Sequence, residues 1–116
     1  MKIKPFYSAL AVILFVATSF AQEKKSYMVN TIAFYNLENL FDTINDPTIN
    51  DEDFIYTPEN YKDKLNKLER VISQLGTSAD QKNSPVVLGV AEVENRQVLE
   101  DLCKQPLLAA KGYAVI

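Results

Sequence analysis

Two short polar clusters stand directly behind apolar runs in this chain. Asn36, Glu38 and Asn39 lie in "FYNLENLFDT", and Glu92, Glu94 and Asn95 lie in "VVLGVAEVENR". Carboxylate oxygens suit a hard divalent cation such as Mg²⁺, which phosphoryl-transfer sites hold with one or two acids plus water and substrate oxygens. Glu92, at the end of a buried-type run, is the best-placed carboxylate for that role, and Glu38 is the second candidate. Asn36 carries an amide that both donates and accepts, so it can hold a phosphate or orient the acids. Each residue also has a plain structural reading. Glu92 can cap a helix beginning near Asn95, Glu38 can be a solvated loop acid, and Asn36 can end a strand in a turn. Asn39, Glu94 and Asn95 share that ambiguity. Asp51, Glu52 and Asp53 read as a solvated loop run, and Lys62, Lys64 and Lys67 as the wet face of a helix.

Other chemistries find no footing in the 116 residues. The chain has no His and one Cys, so it offers neither a Cys/His nucleophile nor a zinc site, and Cys103 reads as a half-buried helix residue. GxGxxG, P-loop, CxxC and GxSxG patterns are all missing. The net charge is −3. That is no basic footprint of the kind that carries nucleic-acid binding through phosphate neutralisation. A phosphate-bearing ligand would need a cation to bridge acid to acid.

Residues 1–21 read as a cleaved signal peptide. Lys2 and Lys4 supply the positive start, "ALAVILFVATSF" the apolar stretch, and Ser19-Phe20-Ala21 the small residues read at cleavage, placing the cut after Ala21. The alternative is a membrane anchor, but the apolar run is shorter than the ~20 residues a span requires. Gln22 follows the cut, so no lipid-anchored cysteine is implied. The expectation is a secreted or periplasmic chain without a stable membrane anchor, of net charge −5 once Lys2 and Lys4 are removed.

The elements that must position the polar clusters follow from periodicity. Ile32 to Tyr35 form a short apolar run that reads as a strand covered on both faces. "DTINDPTINDED" has no period and is a loop. Thr57 as N-cap, Pro58 at the first helical position and Glu59 in the first turn open a helix with Tyr61, Leu65, Leu68, Ile72 and Leu75 on one face, and Gly76 is its expected stop. "VVLGVA" after Pro85 is a second buried-type strand. Val98, Leu99 and Leu102 mark a second helix, and "GYAVI" reads as the start of a third strand. The order β-α-β-α-β favours parallel pairing of the first two strands, bringing Asn36, Glu38 and Glu92 to one edge, where open α/β sheets commonly hold ligands.

"TIAFYNLENLFD", followed about fifty residues later by "PVVLGVAEVENRQVLEDL", resembles the N-terminal part of the endonuclease/exonuclease/phosphatase superfamily with the deoxyribonuclease-I-like fold, closest to its secreted bacterial branch. The resemblance covers most of residues 22–116. It implies the N-terminal part of a four-layered α/β sandwich, an incomplete domain, and Mg²⁺- or Mn²⁺-dependent cleavage of phosphoester bonds. It implies that Glu92 and Glu38 serve the metal and that Asn36 is a catalytic residue at the phosphate. The partner implied is nucleic acid or another phosphoester substrate, and no partner protein. The family's catalytic His, Asp-x-Asn and Ser-Asp-His motifs have no counterparts in the chain as written, which on this reading is a fragment expected to be inactive and poorly stable alone. An endonuclease is the leading expectation. The alternatives are a phosphatase or phosphodiesterase acting on small or lipid phosphoesters, with "DTINDPTINDEDFIYT" as its visible specificity loop, and a non-catalytic secreted binding domain in which Glu38 and Glu92 only cap structure.

Overall fold

The computed structural model describes residues 25–49 and 52–116. The expected signal segment with its cleavage point at Ala21, and Asp51, lie outside the described residues. Strand β1 spans Ile32–Leu40, helix α1 Pro58–Ile72, strand β2 Val87–Val93, helix α2 Arg96–Cys103 and helix α3 Pro106–Ala109. β1 and β2 pair in parallel, as the strand–helix–strand order predicts. Parallel pairing requires a crossover, and α1 lies within it. Both strands therefore end at the same edge. The arrangement is α/β.

Helix α1 begins where its local chemistry says it must. Thr57 is extended, its side chain accepts from the Asn60 N–H at 3.2 Å, and Pro58 follows with φ already suited to a helix. The regular helix ends at Ile72, four residues before Gly76. The intervening residues tighten into a turn with Gln74 N–H bonded to Val71 O and Leu75 N–H to Ile72 O. Gly76 then takes φ +67°, and a Cβ there would come within 2.8 Å of Thr31 Cγ2. Glycine thus lets the end of α1 pass against the entry to β1.

Helices α1, α2 and α3 all contribute to one core with β1. Leu37 and Leu40 from β1, Leu65, Leu68 and Ile72 from α1, Val98 and Leu102 from α2, and Leu108 from α3 are buried together. Full burial of each such side chain is worth about 1.5–3 kcal/mol. Tyr61 O–H donates to Asp101 Oδ2 at 3.2 Å, tying α1 to α2. Buried Glu69 accepts the Leu107 N–H at 2.9 Å and so anchors the first turn of α3, an element the sequence pattern did not reveal. The opposite face of the sheet is open. Ile32, Phe34 and Val87 lie on it at 76, 69 and 54% exposure, with the Phe34 ring against Gly89.

The third strand expected over "GYAVI" does not form among the described residues, where 113–116 are irregular. Side chains serve this segment in place of a neighbouring strand. Tyr113 O–H donates to Pro85 O at 2.9 Å, and the Arg96 guanidinium donates to Val115 O at 2.6 Å.

Candidate active site at the parallel strand ends

The two strands pair residue for residue from Ile32 opposite Val87 to Asn36 opposite Ala91. The next pair is Leu40 opposite Val93. Leu37, Glu38 and Asn39 on β1 therefore face the single residue Glu92 on β2, an irregularity of the bulge type. Glu38, Asn39 and Glu92 take φ of +54°, +60° and +55°, the left-handed region that L-residues other than Asn and Asp enter at a cost of roughly 1–2 kcal/mol. The apolar run predicts a strand that ends at Asn36. β1 continues through the bulge to Leu40.

The left-handed steps shift the phase of both strands. In a regular strand alternate residues share a face, so residues three apart point oppositely. Here Leu37 and Leu40 are both fully buried, and Val90 and Val93 both pack against the core. Glu38 and Glu92, which lie between the buried partners, are exposed instead. The hydrophobic core and the displayed acids are thus two results of one backbone distortion.

Side chains hold the distortion in place. Asn36 Oδ1 accepts the Glu38 N–H at 2.9 Å, a local turn bond typical of Asn. Lys64 Nζ, on α1, donates to Glu38 O at 3.0 Å and stands 4.0 Å from Glu38 Oε2. Tyr56 O–H donates to Asn39 O at 3.2 Å. Beyond the bulge the Glu94 N–H bonds Leu40 O, Glu94 Oε2 accepts the Asp42 N–H at 2.8 Å, and the Asn95 amide donates to Asp42 Oδ2 at 3.2 Å. Asn95 Oδ1 meanwhile caps α2 by accepting the Val98 N–H at 3.1 Å. Phe41 stacks on Phe54 with ring centroids 5.2 Å apart, and Tyr56 N–H returns to Asp42 O at 3.1 Å.

These contacts sort the candidates by their possible chemistry. The cap of α2 is Asn95, so the helix-capping alternative for Glu92 falls away; Glu92 carries no hydrogen bond or ion pair among the described residues. Its carboxylate keeps all its lone pairs for a ligand. Asn36 has its oxygen committed to the backbone, which leaves its amide N–H groups as donors to an anion. Glu38 is displayed beside an ammonium group. Glu94, Asp42 and Asn95 work as a brace behind the site. The charge pattern predicts Lys64 on the wet helix face, yet its side chain is only 17% exposed, whereas that of Lys67 is 71% exposed. Glu52 and Asp53 are exposed as expected.

The negative field behind the site is felt at Tyr61. Burial first, then the charge and hydrogen bond of Asp101, then the charges of Asp42 and Glu94, push its phenol well above the ordinary tyrosine range.

Among the described residues no group of three or more His, Cys, Asp or Glu side chains comes together as a metal cage. The donor set of Glu92 and Glu38 is carboxylate oxygen on a solvent-open edge. It fits a hard cation that keeps waters and takes substrate oxygens, the usual mode of Mg²⁺, better than a dedicated all-protein site.

A family model described as the Endonuclease/Exonuclease/phosphatase family matches residues 31–116. The chain belongs to the endonuclease/exonuclease/phosphatase family. The match begins one residue before β1 and includes the bulge, Glu92 and the Asp42–Glu94–Asn95 brace. Members of the endonuclease/exonuclease/phosphatase family are hydrolytic phosphoesterases, nucleases among them, and typically use divalent metals. Comparison with curated proteins and with solved structures found no significant match to the chain.

Proposed function

We propose that the protein supplies the metal-binding strand edge of a Mg²⁺- or Mn²⁺-dependent phosphodiesterase of the endonuclease type, exported through its N-terminal signal and acting in the periplasm or outside the cell, and that residues 1–116 by themselves are inactive because they hold no His for acid–base catalysis. The carrying observation is the solvent-open carboxylate of Glu92, without a partner among the described residues and held in left-handed backbone beside the Asn36–Glu38 bulge. Such strain in a non-glycine residue is retained where the surrounding structure enforces it, and it clusters at functional sites. Glu92 is the principal metal ligand in this reading and Glu38 the second. The metal, when bound, would polarise the phosphoryl oxygens and stabilise charge developing on them. Asn36 donates its amide N–H groups to a phosphate oxygen while its own oxygen holds the Glu38 peptide.

The acidic balance of the chain favours one further reading, a phosphatase or phosphodiesterase acting on small or lipid phosphoesters that need no basic track. The same metal site serves either substrate. Electron paramagnetic resonance of Mn²⁺ titrated into the full chain tests the shared core of both readings. Glu92→Gln should remove tight Mn²⁺ binding while leaving the fold intact. Binding that persists in Glu92→Gln sinks the assignment and leaves a non-catalytic binding domain as the better account.

A further inference from the structure

We propose that Lys64 is a positioning residue of this site, holding the left-handed Glu38–Asn39 step through the Glu38 carbonyl and acting as internal counter-ion to the Glu38 carboxylate. The proposal rests on the metal-phosphate reading only for its functional consequence; the positioning role stands on geometry. In a regular parallel pair alternate residues of each strand bond the neighbour through both N–H and C=O, at even spacing. The bulge takes Glu38 and Asn39 out of that ladder, and their two carbonyls receive side-chain donors from elsewhere, Lys64 Nζ at 3.0 Å and Tyr56 O–H at 3.2 Å.

Lys64 is the donor that also carries charge. Its position between Tyr61 and Leu68 at helical spacing sets it on the flank of the buried stripe of α1, and its stem is covered, leaving the side chain 17% exposed. Covering a lysine is costly unless its ammonium is bonded, and here, among the described residues, it hydrogen-bonds the Glu38 main-chain oxygen at 3.0 Å and ion-pairs with Glu38 Oε2 at 4.0 Å. Lys64 and Asn36 therefore hold the two peptides on either side of the Glu38 Cα, Lys64 through the Glu38 carbonyl and Asn36 Oδ1 through the Glu38 N–H, and the Lys64 ammonium also stands by the Glu38 carboxylate.

The two effects have opposite signs for metal binding, which makes the role testable. Loss of a nearby positive charge by itself tightens the binding of a divalent cation, whereas loss of the bulge geometry loosens it. Residues that orient metal ligands typically cost 10–100-fold in affinity when removed. In the full chain, Lys64→Met is expected to weaken Mn²⁺ binding about tenfold. It should also speed amide hydrogen exchange in the 36–39 segment without altering exchange in β2. Lys64→Arg should restore both. Unchanged exchange at 36–39 in Lys64→Met, or tighter Mn²⁺ binding, overturns the positioning role. Should the parent chain bind no Mn²⁺, the metal reading fails, and the exchange comparison still decides the role of Lys64.

Discussion

Glu92→Gly separates what the backbone prefers from what the site requires. At φ +55° a glutamate is strained by roughly 1–2 kcal/mol, and glycine adopts the same angle without that cost. Glycine also loses more freedom on folding, which returns about 0.5–1 kcal/mol. Because Glu92 has no partner to lose among the described residues, the difference should leave Glu92→Gly more stable than the parent by about 0.5–1 kcal/mol in the absence of divalent ions. Urea unfolding read by circular dichroism measures this as a higher midpoint at unchanged slope. With Mn²⁺ at one hundred times its dissociation constant, the parent should gain about 2.7 kcal/mol by mass action and the variant nothing, so the order reverses. A variant that is less stable than the parent without metal would refute the strain argument. One that still gains stability from Mn²⁺ would refute the role of Glu92.

Leu37 is fully buried beside the bulge, so Leu37→Ala should cost about 2–5 kcal/mol in the same urea assay, whereas Phe34→Ala on the open face should stay within about 0.5 kcal/mol; similar losses at both would contradict the one-sided core. Partial burial raises the Asp101 carboxyl, but hydrogen bonds from Lys104, Gln97 and Tyr61 outweigh it and hold its pKa below the ordinary range. A depressed native value means stability that is present above the unfolded pKa of about 3.9 and is lost as pH falls through the native one. Asp101→Asn should therefore flatten the fall of the thermal midpoint below pH about 4, and an unchanged acid limb would show that the group contributes nothing.

Much of the framework was legible because it is local. Thr57 and Pro58 announce the start of α1, the Leu65–Leu68–Ile72 spacing announces its buried face, and short apolar runs announce both strands. The end of β1 was not, because the apolar run ends at Asn36 while the strand continues to Leu40. Leu37 and Leu40 share a face only through two left-handed residues, and of those only Asn39 has a side chain that hints at such a backbone. The short helix α3 has too few residues to show a period, and its anchor, Glu69, lies far back on α1. Among the candidates, Asn36, Glu38 and Glu92 do reach one strand edge. What sequence left open was the division of labour. Asn95 rather than Glu92 caps α2, Glu94 braces Asp42, and Lys64 differs from Lys62 and Lys67 only through what lies across from it in the folded chain.

The stretch between Asp42 and Tyr56 leaves and re-enters the structure through a fastened gate: the Tyr56 N–H bond to Asp42 O, the Tyr56 hydroxyl on Asn39 O, and the Phe41–Phe54 stack. A stretch fastened at its base is an interchangeable cassette. Its length and composition can drift without moving Glu38 or Glu92, since doubling a loop costs only about 0.6 kcal/mol in closure entropy. Exchanging residues 43–53 for a longer or more basic segment should then redirect which phosphoester is accepted while the acids at the strand ends stay where they are.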